Sequence, residues 1–289
     1  MSKKFLLTGA TGFVGHQILL NLLDKKIEVR AIVRKGKENF FKDINLKIEV
    51  ISTNDLFKEN ADWWTEQCKD IDTIIHIAWY TEPRKYLQSS KNIDCLIGSL
   101  NLAKGAMNAG VKHFIGIGTC FEYDLSKGKL SIDTPLKPTS SYASAKAALF
   151  MFLSKWLPEQ SIKFSWCRLF YLYGEGENEK RFVPYLHKQL SKRQEAELTS
   201  GEQTRDFLDV SDAGRMISEV AFGNQLGPIN ICSGNPVTIR QLAEKVADLY
   251  NSRDLLRFGV RKENLTDPPY ILGVPNICLL YTSPSPRDS

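Results

Sequence analysis

The sequence TGATGFVG occupies residues 8–15 and follows directly on a short apolar run that begins at Phe5. Its three glycines are spaced GxxGxxG, and an amphipathic stretch at 14–23 comes next. Glycine allows a tight turn and a close approach to a pyrophosphate, which a Cβ atom would block. The helix that follows offers free N–H groups and the positive end of its dipole to the phosphates. This strand–turn–helix context predicts a dinucleotide-binding turn, and its candidate contacts are Gly9, Thr11, Gly12, Phe13, Val14 and Gly15.

Outward from this turn, the first part of the chain alternates strand-like and helix-like patterns. Apolar runs predict strands at 5–8, 28–33, 47–51, 73–78, 113–117 and 163–170. Helical spacing of apolar residues predicts helices at 14–23, 92–109 and 141–156, the last ending before Pro158. Strands that alternate with helices imply βαβ units and a parallel sheet with helices on both faces. The predicted fold class is therefore α/β, with a Rossmann-type doubly wound parallel sheet.

After residue 174 the pattern becomes less regular, which predicts a smaller C-terminal substrate lobe. The candidate helices are 182–190, 213–222 and a helix from an N-cap at Thr238 to 249, and the candidate strands are 207–210 and 229–232. We therefore divide the chain into a dinucleotide-binding domain, 1–174, and a substrate-binding lobe, 175–277, with some segments returning to the main domain. Residues 278–289, CLLYTSPSPRDS, look like a translated sequencing adapter, so we treat them as a non-native tail and expect a different natural ending.

Composition excludes several classes of function. The 289 residues are 43% hydrophobic and 25% charged, which is ordinary for a globular protein. The net charge of +5 is not concentrated in a block, so we expect no nucleic-acid partner. No apolar run approaches the roughly 18 residues of a membrane span. The six cysteines are scattered and the four histidines show no ligand spacing, which predicts a cytoplasmic protein with reduced thiols and no metal.

The end of the second predicted strand bears on the choice of cofactor. An acidic residue there would bind the adenosine 2′-hydroxyl and favour NAD, but this chain has Val33-Arg34-Lys35. Because Arg34 can pair with a 2′-phosphate, we expect NADP(H) to be preferred, with NAD(H) as the alternative. Asp55 and Leu56, after the third strand, are candidates to lie beside the adenine, although Asp is also a common N-cap.

A second motif, YxxxK, places Tyr142 and Lys146 on one face at the start of a predicted helix. A neighbouring ammonium lowers the pKa of a tyrosine from about 10, so we expect Tyr142 to act as an acid or base near neutral pH. Thr119 ends the fifth strand, where side chains face the ligand crevice, and its hydroxyl can bind a substrate carbonyl oxygen. The predicted catalytic set is Thr119, Tyr142 and Lys146, and the last two also contact the cofactor.

Taken together, these motifs resemble the extended short-chain dehydrogenase/reductases, the NAD-dependent epimerase/dehydratase family, over residues 3–270. The positions that carry the resemblance are residues 8–15, His76, Ile77, Ala78, Asn92, Tyr142 and Lys146. The resemblance implies that Ile77 and Ala78 contact the dinucleotide. It also implies a homodimer formed through the helices at 92–109 and 141–156.

The second half resembles the nucleotide-sugar members of that family. Residues 201–210, GEQTRDFLDV, are similar to their segment GxxxRDFxxV, which implies that Arg205 contacts a substrate diphosphate. RFVP at 181–184 resembles the helix start that closes over the nucleotide, which makes Arg181 a further candidate. Trp79 and Tyr80 are candidates to line the substrate pocket with aromatic surface. Cys120 is either a wall of the pocket or a proton carrier, and we favour the wall because no histidine adjoins it.

The resemblance also narrows the reaction. The family's sugar 4,6-dehydratases carry an Asp-Glu pair directly after the catalytic Thr, whereas this chain has Cys120-Phe121, which argues against dehydration. Reduction and 4-epimerisation stay open. An epimerase holds NAD and a reductase uses NADPH, so Arg34 favours the NADPH-dependent reduction of a 4-keto-6-deoxy nucleotide sugar. A non-catalytic dinucleotide-binding sensor is the third reading, and the intact catalytic set argues against it.

Overall fold

The computed structural model describes residues 3–42, 48–263 and 267–277. The strands within these ranges are β1 Lys4–Thr8, β2 Glu28–Arg34, β3 Ile48–Thr53, β4 Thr73–His76, β5 His113–Thr119, β6 Lys129–Leu130, β7 Lys163–Leu169, β8 Tyr171–Tyr173, β9 Ala196–Glu197, β10 Thr204–Asp209, β11 Gly227–Ile231, β12 Pro236–Thr238, β13 Leu256–Arg257 and β14 Tyr270–Gly273. The α-helices are α1 Phe13–Asp24, α2 Ala61–Gln67, α3 Lys91–Ala109, α4 Ser141–Glu159, α5 Phe182–Ser191, α6 Val210–Phe222 and α7 Ile239–Asp248. The tail predicted at 278–289 and the first residue of the predicted third strand lie outside the described residues.

Seven parallel strands of the described chain form the main sheet, in the order β3-β2-β1-β4-β5-β7-β11. The chain winds outward from β1 in both directions, so the carboxyl ends of β1 and β4 flank the point at which the order reverses. Ligands bind in the crevice at such a point in doubly wound sheets. The predicted Rossmann-type fold is confirmed.

Strand β1 shows why its sequence is continuously apolar. Phe5 and Leu7 point to one face of the sheet, into a buried cluster that includes residues of α1 and α6. Leu6 points to the other face, into a cluster with residues of α2, α3 and α4. All three side chains are fully buried, because successive residues of a central strand face opposite layers of helices.

A smaller part of the molecule is built on a second sheet, β12-β10-β14-β6, with β8 paired to β10. Helices α5 and α7 cover a separate apolar cluster there. Buried Asp206 ties this region together, because its carboxylate accepts from the backbone N–H groups of Ser233, Gly234 and Gly273 at 2.7, 2.9 and 3.1 Å. Since β11 belongs to the main sheet and β6 to the second one, the chain crosses between the two parts, and the boundary after residue 174 stays a prediction.

Of the predicted boundaries that are wrong, two have a clear local cause. Helix α4 continues through Pro158 to Glu159, because a proline in the last turn removes a single backbone hydrogen bond. Val210 begins α6 and does not end a strand, since the Asp209 carboxylate caps the helix by accepting from the N–H of Ser211 at 2.8 Å. The predicted N-cap at Thr238 is confirmed and includes a reciprocal capping box with Gln241.

In the described part of the chain, no helix combines the length and the apolar character that crossing a bilayer requires.

Candidate active site

A cleft of about 850 Å³ opens at the carboxyl ends of the central strands. The predicted site residues that line it are Gly9, Thr11, Gly12, Phe13, Val14, Gly15, Arg34, Asp55, Leu56, Ile77, Ala78, Trp79, Thr119, Cys120, Tyr142, Lys146, Arg181 and Arg205. Tyr80 is the predicted residue that the structure does not bring into this lining. The cleft therefore joins the glycine-rich turn, the YxxxK motif and the two arginines of the second half.

The glycine-rich turn has the close backbone contacts that a dinucleotide site needs. Gly9 has a φ of +75°, and a Cβ atom there would lie 2.9 Å from the backbone nitrogen of Ala78. A Cβ atom on Gly15 would lie 2.0 Å from the carbonyl oxygen of Gly9. Helix α1 begins after Gly12 without a side-chain cap, so its first N–H groups are available at the cleft. These features fit a pyrophosphate held by backbone N–H groups and the helix dipole.

A chain of buried hydrogen bonds positions the part of the cleft wall that Ile77 and Ala78 form. Burial lowers the pKa of His76 to about 3, so its ring is neutral. Its Nε2 lies 2.7 Å from the hydroxyl of Ser99, which donates to a backbone carbonyl, and its Nδ1 lies 2.8 Å from Oγ1 of Thr8. The same Thr8 oxygen accepts from the N–H groups of Ile77 and Ala78, both at 3.2 Å. Strand β4 therefore ends at His76, two residues earlier than predicted. Ile77 and Ala78, which were predicted to belong to the strand, line the cleft instead.

Two cations line the cleft at the end where the adenosine is predicted to lie. Exposed Arg34 lies at the end of β2, and Lys37 joins it in the lining. Sequence analysis missed Lys37, although its place in the short turn after Arg34 was a usable signal. The Asp55 carboxylate accepts from the N–H of Phe57 at 3.1 Å, so this residue caps a short 3-10 helix as well as facing the cleft.

The three predicted catalytic side chains are buried around the middle of the cleft. Burial raises the pKa of Tyr142, the neighbouring Tyr86 and Glu122 add to this rise, and a hydrogen bond with Thr119 opposes it. The prediction of a lowered tyrosine pKa is therefore wrong. The phenol lies among aromatic rings, with the ring centroid of Tyr86 at 4.8 Å, and such surroundings disfavour a phenolate. Tyr142 therefore stays protonated near neutral pH.

The ammonium of Lys146 is held from two sides. Its Nζ donates to the carbonyl of Ile117 at 2.6 Å and lies 3.8 Å from the centroid of the Trp79 ring. Burial lowers the pKa of Lys146 to about 7, against the opposing attraction of Glu122. The lysine is therefore desolvated but not isolated.

A buried ion pair behind Thr119 was not predicted. The Glu122 carboxylate accepts from the N–H of Thr119 at 2.8 Å and from Nε of Arg168 at 2.7 Å, and both partners of the pair are almost fully buried. The Thr119 side chain in turn accepts from the N–H of Phe121, which completes a capping box. The spacing T-x-x-E was the signal that could have revealed this. Glu122 does not belong to the cleft lining, and its hydrogen bond holds the backbone N–H of Thr119.

Cys120 lines the cleft next to Thr119 and is only 2% exposed. Burial raises the pKa of its thiol strongly, which disfavours the thiolate that proton transfer would require. This environment favours the interpretation of Cys120 as a wall.

At the far end of the cleft, charged side chains have partners on other segments. Arg205 is 2% exposed, and its Nη2 donates to the Asp267 carboxylate at 2.6 Å. Arg181 lies with its guanidinium 5.8 Å from the ring centroid of Tyr86. Glu177 also lines the cleft, with a buried carboxylate oxygen that has no hydrogen-bond partner, and burial raises its pKa to about 7. Sequence analysis identified neither Asp267 nor Glu177, because no motif contains them.

Tyr80 is turned out of the cleft by local contacts. Its hydroxyl donates to the Glu82 carboxylate at 2.8 Å, and the Lys91 ammonium lies 4.5 Å from its ring centroid. The prediction that Tyr80 lines the pocket is not supported by this placement, because its neighbour Trp79 takes the inward position.

Known proteins resemble this chain along most of its length. A 26% identical dTDP-6-deoxy-L-talose 4-dehydrogenase (NAD(+)) from Aggregatibacter actinomycetemcomitans matches 88% of this chain and 93% of its own length. A 25% identical CDP-abequose synthase from Salmonella muenchen matches 90% and 85%. A solved UDP-N-acetylglucosamine 4-epimerase from Methanobrevibacter ruminantium has the same fold, with a TM-score of 0.80, 23% identity and coverage of 95% and 90%. The model of the NAD dependent epimerase/dehydratase family matches residues 5–232, and the chain belongs to that family.

Proposed function

We propose that this protein reduces a 4-keto-6-deoxy nucleotide sugar with NADPH. The observation that carries the proposal is the single cleft in which Thr119, Tyr142 and Lys146 lie between a dinucleotide-binding turn and two arginines. Arg181 and Arg205 suit the diphosphate of a sugar nucleotide. The two relatives above are named for a 4-dehydrogenase and for the synthesis of a nucleotide-linked sugar, which supports redox chemistry on this class of substrate.

In this reaction each catalytic side chain has a separate task. Tyr142 donates its proton to the carbonyl oxygen at C4 of the sugar; burial raises its pKa, so the transfer depends on a group that stabilises the phenolate left behind. The Thr119 hydroxyl binds the same oxygen and orients the carbonyl. The ammonium of Lys146 stabilises the charge that develops on Tyr142. The reduced nicotinamide supplies the hydride when it is bound.

The cofactor assignment depends on the two cations at the adenosine end. Arg34 and Lys37 both line the cleft where a 2′-phosphate requires positive charge. NAD(H) is the alternative, because the talose dehydrogenase is named for NAD(+) and the family for NAD. Competition between NADPH and NADH for the purified protein separates the two.

The test of the proposed function is single-turnover oxidation of NADPH with dTDP-, CDP- and UDP-linked 4-keto-6-deoxy sugars. General acid catalysis contributes about 10²–10⁴-fold, so Tyr142→Phe should slow the reaction by that order while cofactor binding survives. Cys120→Ser is the matched control and should cost little. Near-normal turnover by Tyr142→Phe together with loss of activity in Cys120→Ser would overturn the assignment.

A 4-epimerase is the second candidate, and the solved epimerase with the same fold supports it. Its signature is the interconversion of two 4-hydroxy sugar nucleotides without net consumption of NADPH. Binding of NADPH without turnover of either class of substrate would indicate the non-catalytic dinucleotide-binding sensor.

We also propose a cytoplasmic homodimer. Ile93 and Ile97 of α3, with Met151 and Phe152 of α4, leave 52–61% of their surface exposed on two neighbouring helices. Exposed apolar patches of this kind mark interaction surfaces. Sedimentation checks the assembly. The wild type should sediment as a dimer and the Ile97→Lys variant as a monomer.

A further inference from the structure

Trp79 lines the cleft, and a hydrogen bond fixes the orientation of its ring. Its indole Nε1 donates to Oδ1 of Asn92 at 2.9 Å. The Asn92 side chain is buried, and its amide nitrogen donates to the carbonyls of Tyr86 and Ser89 at 2.7 and 2.9 Å. Because the amide nitrogen is engaged twice, the oxygen must face the indole. The plane of the Trp79 ring is thus set by a residue of α3, outside the catalytic set.

That ring lies directly against Lys146. The ammonium is 3.8 Å from the ring centroid, closer than its 5.9 Å separation from the Trp166 ring. Among the described residues no carboxylate forms an ion pair with Lys146, and its ammonium contacts the Trp79 face, the more distant Trp166 face and the carbonyl of Ile117. A tryptophan face is the strongest of the aromatic partners for a cation, and the contact gains strength when both groups are desolvated.

The same indole also contacts the other half of the catalytic pair. The Trp79 and Tyr142 rings meet edge to face, with centroids 6.4 Å apart and planes at 80°. A single side chain therefore touches the proposed proton donor and the proposed charge that stabilises it.

We propose that Trp79 is a positioning residue that holds Lys146 as an ammonium ion beside Tyr142. The proposal rests on the proposed function, which gives that ammonium its task. It adds a positioning residue, supported by Asn92, behind the catalytic set, and it gives Trp79 a task beyond lining a pocket.

Few other groups around Lys146 stabilise the positive charge of its ammonium. Glu122 faces it from the segment after β5, Cys95 from α3 and His76 from β4. His76 is neutral at physiological pH, and burial raises the pKa of Cys95 to about 11, so its thiol is also neutral. The charge of Glu122 is shared with its buried partner Arg168. Loss of the Trp79 face should therefore weaken the hold of Lys146 on its proton.

The experiment compares Trp79→Phe, which keeps an aromatic face, with Trp79→Leu and Trp79→Met, which do not. Loss of a desolvated cation–π contact should weaken proton binding by Lys146 about tenfold. The reaction requires Lys146 as an ammonium ion. Its rate should therefore be constant below the pKa of Lys146 and decrease above that pKa. In the aliphatic variants the midpoint of the alkaline limb of the pH–rate profile should move from near pH 7 to near pH 6. The rate of these variants should therefore be about fivefold below that of the wild type at pH 7 and should recover near pH 5. Trp79→Phe keeps an aromatic face but loses the hydrogen bond to Asn92, so its rate profile should lie between those of the wild type and the aliphatic variants.

A second measurement needs no substrate. The NMR titration of lysine-labelled protein follows Lys146 directly, with Lys146→Arg identifying its signal. The proposal is overturned if Leu, Met and Phe variants titrate alike, or if the aliphatic variants lose rate equally at every pH with Lys146 unchanged. If the wild type turns over no sugar nucleotide, the proposed function fails, and the titration still decides whether Trp79 holds the ammonium.

Discussion

The two ends of the cleft are constructed differently. At the end proposed for the dinucleotide the lining is mainly backbone, with Gly9, Gly12 and Gly15 within one turn and the start of α1 behind them. At the substrate end they come from long side chains whose partners lie far away in sequence, such as Arg205 with Asp267. A site built from backbone tolerates few substitutions of its glycines, because the structure leaves no space for an added Cβ atom. Side-chain sites can be tuned by altering a partner, so the two ends should respond to mutation in different ways.

The largest effect is expected at the backbone end. Gly15→Ala places a Cβ atom 2.0 Å from the Gly9 carbonyl oxygen, so the turn must shift and NADPH binding should fall by about 100-fold or more. Overpacking of this kind also costs about 1–3 kcal/mol of unfolding free energy. Fluorescence titration with NADPH and thermal unfolding measure both effects.

The control for that substitution is Gly110→Ala. Gly110 also has a φ of +75°, but a Cβ atom there meets nothing within 4 Å. It should therefore lose stability by about 1–2 kcal/mol through backbone strain and keep its affinity for NADPH. Equal loss of affinity in both variants would contradict the assignment of the turn.

At the substrate end the expected changes have opposite signs. A charged hydrogen bond contributes about 1.5–3 kcal/mol, so Arg205→Ala should weaken the binding of UDP, dTDP or CDP by about 10- to 100-fold. Asp267→Asn removes the competing carboxylate, so it should tighten the same binding by a few-fold. Isothermal titration calorimetry measures both. If Asp267→Asn weakens binding as much as Arg205→Ala, the ion pair is structural and Arg205 is not a phosphate ligand.

Cofactor choice should depend on a smaller, exposed interaction. Arg34→Ala should raise the Michaelis constant for NADPH about tenfold and leave that for NADH nearly unchanged, because the guanidinium pairs with the 2′-phosphate alone. Lys35→Ala is the control, since Lys35 is exposed but does not line the cleft. Equal effects of Arg34→Ala on the two cofactors would exclude the pairing.

The smallest expected effect concerns Glu177 and pH. Burial raises its pKa from 4.5 to about 7, so the ionised form is disfavoured in the folded protein. The resulting cost to stability is absent below pH 4.5 and grows as the pH rises through 7. Glu177→Gln cannot ionise, so its melting temperature should match the wild type near pH 5 and exceed it near pH 8. Glu179→Gln, at a 77% exposed position on the same segment, should show no such trend. A melting-temperature difference that stays constant with pH would rule out this origin.

Much of the dinucleotide end was predictable because its signals are local. The glycine spacing, the strand before it and the YxxxK pair each lie within a few residues, and chain order alone brought Thr119 to the same edge of the sheet. The placement of Tyr80 was not predictable, since neighbouring residues of a loop point in different directions and only contacts with Glu82 and Lys91 decided between them.

The sequence by itself determined the Rossmann-type sheet, the glycine-rich turn and the residue types of the proposed catalytic set, because these depend on short-range geometry and on the periodicity of apolar side chains. Only the tertiary structure decided the electrostatics. Burial among aromatic rings reversed the expected direction of the Tyr142 pKa, and Asp267 reached Arg205 across 62 positions of sequence. Likewise, Trp79 meets Lys146 of α4 while its indole is hydrogen-bonded to Asn92 of α3, so the contact depends on how these helices pack. Desolvation and charge pairing depend on which groups the fold brings together, and no local pattern encodes that.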